Sequence, residues 1–203
     1  MAATFSGSKG GTGKTTLAIN ISIVASALAP TLLVDASSEG GATAYLFGDA
    51  PPPYLRDDPQ NSLRRLDIGG HALTVAVNRG PLDDIETAVS HIEHWSESYP
   101  FTVVDLPALT DTRVRVRYLP ILAMADVVLV VVEPNIASIE SSLYTFGDKR
   151  VVVALNCPRP YPKTVVEHYA RVIESFCRRT GASYVVVPYD PAVSRAVSYT
   201  HLT

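Results

Sequence analysis

The sequence has little cysteine: two in 203 residues, and Cys157 and Cys177 stand in no metal-binding or redox spacing. That excludes a disulfide framework and leaves two small apolar thiols in a reducing compartment. It also lacks a long hydrophobic run. Val127 to Val132 is nearly all Val and Leu, yet far shorter than the roughly 20 apolar residues that span a bilayer. Polar Ser6, Ser8 and Lys9 interrupt the N-terminus too early for a secretory leader. An excess of one charge is missing too. The net charge is −3, so nucleic-acid binding would need a local basic patch rather than a basic surface. Repeats and low-complexity tracts are not seen, and 47% hydrophobic residues rule against disorder. A soluble, cytoplasmic chain with one core is expected.

What is present is an alternation of short apolar runs and longer amphipathic stretches. Strands are predicted at Ala2 to Phe5, Thr31 to Val34, Leu73 to Val77, Phe101 to Val104, Asp126 to Val132, Arg150 to Leu155 and Ser183 to Val187. Helices are predicted at Lys14 to Ala27, Leu82 to Ser98 and Thr164 to Arg179. Strands made almost wholly of Val, Ile and Leu are buried on both faces, which predicts an α/β fold with a mainly parallel sheet between helices. Asp35, Asp105 and Asn156 end such strands, and Pro188 follows the last. They should gather on one rim, where ligands of these sheets bind. Ala50 to Gly70 opens with Pro51, Pro52 and Pro53 and reads as a surface excursion.

Between the first strand and first helix stands GSKGGTGKTT, Gly7 to Thr16. Gly10, Gly11 and Gly13, with Thr12 among them, let backbone N–H groups turn inward around phosphate oxygens, and the helix N-terminus adds partial positive charge. Lys14 is placed to reach β- and γ-phosphates, Thr15 to offer its hydroxyl to Mg²⁺, and Thr16 to bond the α-phosphate. Ser8 stands where the strict phosphate-loop pattern has its first glycine.

The stretch KGGTGKTT resembles the deviant Walker A motif of the ParA/MinD ATPase family. The resemblance implies a P-loop NTPase-like three-layer α/β/α sandwich that binds ATP and Mg²⁺. It implies too that Lys9 crosses a homodimer interface on the nucleotide face to the partner's nucleotide, making Lys9 and Lys14 the candidate catalytic residues. Leu32 to Gly48 resembles the family's VDxDPQGNAT stretch; Asp35 matches its first aspartate, which the resemblance implies as a Mg²⁺ residue beside Thr15, while Ser37 replaces the second aspartate and Glu39 the glutamine. VVDLPAL, Val103 to Leu109, resembles the segment whose aspartate, here Asp105, holds Mg²⁺ through its water shell. Asn156 in VVVALNCP takes the place of the family's adenine-reading asparagine, with Pro188 and Tyr189 in the loop that closes over the base. The alternative for Asp105 and Asn156 is that each caps a turn.

The implied function is a switch that dimerises with ATP and positions DNA or a protein cargo, its slow hydrolysis stimulated by a ParB-like partner. The alternatives are a metabolic ATP-dependent ligase or synthetase on the same loop, and a nucleotide-binding regulator without hydrolysis, which Ser37 motivates. Arg113, Arg115 and Arg117 would contact DNA or a partner, or form an exposed face. His91 and His94 lack a third ligand and read as a solvated helix face. Finally, VSYTHL at Val197 to Leu202 resembles the translation of a transposase end sequence used in sequencing libraries. A single domain over 1–196, truncated at its C-terminus, followed by a non-native tail over 197–203, is therefore expected.

Overall fold

The computed structural model describes residues 1–8 and 10–193, so Lys9 and the expected tail 197–203 lie outside the described residues. Strands β1 (Ala2–Phe5), β2 (Thr31–Asp35), β3 (Leu63–Ile68), β4 (His71–Ala76), β5 (Phe101–Asp105), β6 (Val127–Val132), β7 (Arg150–Asn156) and β8 (Ser183–Val187) form one sheet in the order β3-β4-β2-β5-β1-β6-β7-β8. Every neighbouring pair is parallel except β3 with β4. The helices are α1 (Lys14–Ser26), α2 (Gly41–Phe47), α3 (Ile85–Ser98), α4 (Thr112–Met124), α5 (Ile136–Ser142) and α6 (Lys163–Thr180).

Strand order and handedness decide which face each helix covers. The connections β1 to β2 and β2 to β4 run toward one edge of the sheet, and β4 to β5, β5 to β6, β6 to β7 and β7 to β8 run toward the other. Right-handed crossovers in opposite directions place their helices on opposite faces. Accordingly Ala18 and Ile19 of α1 and Ala42 of α2 pack with Leu33, Leu73, Val75 and Val103. Ile92, Trp95, Tyr118, Ile121, Ile139 and Ile173 of the other four helices pack with Val104, Val130, Val153 and Leu155. Three layers result. Among the described residues no helix covers β6 to β8 on the α1 side: Leu129 and Val152 are only half-buried and Val185 is 46% exposed. No described helix is long and apolar enough to cross a membrane.

Five elements were not expected from the sequence. Within the expected excursion, a 3₁₀ turn at Pro59–Asn61 precedes β3, an edge strand LRRLDI that holds two adjacent arginines and leaves Arg65 and Asp67 exposed. Gly69 and Gly70, at φ +60° and +88°, turn β3 into β4 as a two-residue hairpin that only positive φ permits. Helix α4 was hidden because TRVRVRY alternates with the period of a strand. Helices α2 and α5 have seven residues each, too short to show a helical period.

Candidate functional site

The loop that follows β1 turns into α1 at Gly13, whose φ of +89° requires glycine. A Cβ there would also lie 2.2 Å from Asn156 Nδ2. Gly10 and Gly11 face open space, with nothing within 4 Å of an added Cβ. At the helix start Lys14 is 7% exposed. Burial lowers its pKa, while the charges of Asp105 and Glu39 raise it. Thr12 is buried with its hydroxyl unpartnered, and Thr15 and Thr16 are half-buried.

Beneath the loop the register pairs Asp35 directly with Asp105 on adjacent strands, both with no exposed surface. Their environments differ. Asp35 accepts three hydrogen bonds: from Ser37 Oγ at 2.6 Å, Ser37 N at 3.1 Å and Thr43 N at 2.8 Å. Burial raises its pKa, against these donors. Asp105 accepts one long bond at 3.3 Å from Thr4 Oγ1, and its Oδ2 is buried without a partner. Its pKa is raised to about 7 by burial first and then by the charge of Asp35, against the pull of Thr15, Lys14 and Thr4. A buried carboxylate oxygen with no donor calls for an ion or water beside it. Mg²⁺ fits: it takes one or two protein oxygens and completes its shell with water and phosphate. Thr15 and Asp105 suit that role. Asp35, expected with them, already accepts three hydrogen bonds from the segment that follows β2, with one bond on its Oδ2.

Ser37, in the place of a second aspartate, donates to Asp35 and accepts from Gly41 N at 2.8 Å. Both of its hydrogen-bonding roles are occupied. Gly41 packs so close that a Cβ would lie 2.9 Å from Thr15 Oγ1. Asn156 donates from Nδ2 to the carbonyl of Thr12 at 2.8 Å, tying the end of β7 to the phosphate loop. After β8, Pro188 is exposed and Tyr189 half-buried. The three arginines do not form a patch. Arg115 donates to Leu109 O and stacks 4.6 Å from the Tyr144 ring, and Arg117 donates to Leu82 O, leaving Arg113 exposed. His91 stands edge-on to Trp95, and no cluster of metal-ligating side chains occurs among the described residues.

Two supports went unseen in the sequence. Asn78, fully buried after β4, donates to Ser37 O and Gly80 O and fixes the segment after β2. Ser138 and Ser142 of α5 hydrogen-bond the start of the phosphate loop. Asn135 three residues before Ser138 is a capping pattern that would have signalled α5, but not what its serines touch.

The family model described as the CobQ/CobB/MinD/ParA nucleotide binding domain matches residues 3–203. An uncharacterised ATP-binding protein of Methanocaldococcus jannaschii is 29% identical over 157 residues, 68% of this chain and 56% of that protein, so the chain spans little more than half of that relative. Among solved structures, the MinC:MinD cell division protein complex of Aquifex aeolicus superposes with a TM-score of 0.71 at 22% identity, covering 96% of this chain and 85% of that one. The septum site-determining protein MinD of Pyrococcus horikoshii, complexed with Mg-ADP, gives 0.70 at 18%, covering 100% and 89%.

Proposed function

This chain belongs to the CobQ/CobB/MinD/ParA nucleotide-binding family, and on that premise we propose that it is a MgATP-binding switch of the ParA/MinD type. The observation that carries the reading is the buried, unpartnered Oδ2 of Asp105 beside Thr15 and Lys14, under a glycine loop whose middle is open. Lys14 and the loop amides bind the phosphates. Thr15 and Asp105 hold Mg²⁺, which when bound screens the charge of the β- and γ-phosphates. Thr16 bonds the α-phosphate, and Asn156, Pro188 and Tyr189 bound the base. Lys9 reaches the nucleotide of a second copy, so that two chains close face to face on ATP and part with ADP. The dimer acts in the cytoplasm and positions DNA or a protein cargo, with a ParB-like partner to stimulate turnover. That the Aquifex neighbour is a complex of MinD with MinC supports a protein partner.

Turnover is slow on this reading. Ser37 is a neutral hydroxyl that donates to Asp35, far too weak a base to take a proton from water. Glu39 is exposed and close enough to influence Lys14, and is the carboxylate available for that work. The same lack of a carboxylate at Ser37 favours a second reading, a regulator that binds ATP and does not hydrolyse it. Light scattering with MgATP and with MgADP tests the switch. A dimer with ATP alone, lost in Lys9→Ala, is expected; a monomer in both states refutes it. Single-turnover assays separate the two readings.

A further inference from the structure

The phosphate loop has to aim its amides without support from a regular strand or helix. Its far end is held by Asn156, through Thr12 O. Its near end rests on α5. Gly7 N donates to Ser142 Oγ at 3.0 Å, and a Cβ on Gly7 would lie 1.7 Å from Ser141 O, so the helix presses directly on the loop backbone. Ser138 Oγ accepts from Glu133 N at 3.0 Å and donates to Ser8 Oγ at 3.4 Å, and Ser8 Oγ meets Ser6 Oγ at 2.9 Å. Ser138 and Ser142 are 3% and 0% exposed, in a helix where an apolar residue would pack without desolvating a hydroxyl. Helix α5 is itself anchored. Asn135 caps it, and Glu133 just before it accepts from Tyr161 at 2.7 Å and pairs with Arg159. Between the two held ends, Gly10 and Gly11 stay open.

We propose that Ser138 and Ser142 are positioning residues for the phosphate loop, setting its entry so that the amides around Gly10 to Gly13 converge on a triphosphate. Ser8 is part of the device: where a glycine would leave the α5 hydroxyl unmet, Ser8 receives it. The proposal rests on the nucleotide-binding reading above.

The test measures binding of ATP, tripolyphosphate and adenosine to the full chain and to Ser138→Ala, Ser142→Ala, Ser8→Ala and the Ser8→Ala/Ser138→Ala pair. Loss of one bond should weaken ATP and tripolyphosphate by roughly three- to tenfold and leave adenosine unchanged. Ser8 and Ser138 share one bond, so the loss in the double variant should be smaller than the sum of the two single losses. Unchanged phosphate affinity with a lowered melting temperature, an equal loss for adenosine, or additive losses in the pair would each overturn the proposal. Amide hydrogen exchange of residues 6–13 without nucleotide gives a second readout. Faster exchange there in Ser142→Ala, with β6 unchanged, is expected, and unchanged exchange refutes the bracket. If the parent chain binds no ATP, the nucleotide reading fails, and the exchange result still decides the bracket.

Discussion

Replacing Asp105 by Asn should make the unliganded protein's stability less sensitive to pH while removing Mg²⁺-dependent ATP binding. The folded-state pKa of Asp105 is about 7, against an ordinary value of 3.8. Between those values the folded chain keeps a proton that the unfolded chain has released, so this group's contribution to stability falls as pH rises through that window and levels off above it. At about 1.4 kcal/mol per pKa unit, this carboxyl costs the folded state about 4 kcal/mol at pH 8, where it is ionised, and about 2 kcal/mol at pH 5, where it is held protonated. Asn leaves an amide donor where Oδ2 had no partner, a cost of about 1–3 kcal/mol that does not vary with pH. The quantity to compare is therefore the difference between variant and parent at the two pH values. It should shift in favour of the variant by about 2–3 kcal/mol from pH 5 to pH 8, or roughly 5–10 °C in melting temperature for a domain of this size. Urea unfolding at both pH values measures it, and titration with MgATP follows the loss of binding. A variant whose stability tracks the parent's at both pH values would refute the buried-charge account of the site.

Other changes probe neighbouring parts. Ser37→Asp should speed single-turnover ATP hydrolysis and lower the melting temperature, because it restores a carboxylate while taking a donor from Asp35 and setting a like charge beside it; an unchanged rate would count against Ser37 as the cause of slow turnover. Gly13→Ala should lose ATP binding and at least about 1–2 kcal/mol of stability from the left-handed backbone alone, with the contact to Asn156 in addition. Calorimetry and thermal unfolding together check this, and parent-like behaviour in both would show that the loop does not have this shape.

The sequence by itself determined the layers and the rim. Near-continuous Val and Leu strands have to be buried on both faces, and polar residues end those strands, so the parallel sheet and the placement of Asp35, Asp105 and Asn156 were legible. The glycine loop was legible for the same kind of reason: only backbone amides freed of side chains can wrap a phosphate. Tertiary structure decided what those residues do to one another. Asp35 and Asp105 look alike in sequence, yet both oxygens of one accept bonds from Ser37 and Thr43 while the other keeps a bare oxygen, because the segment after β2 folds back over only one of them. Asn156, expected at the adenine edge, is also tied to the phosphate loop through Thr12 O. Helix α5, too short to show a period, proved to carry the serines that hold Gly7 and Ser8 across more than 125 residues of chain. Local patterns report which face of an element is buried; which donor reaches which acceptor depends on how distant segments meet.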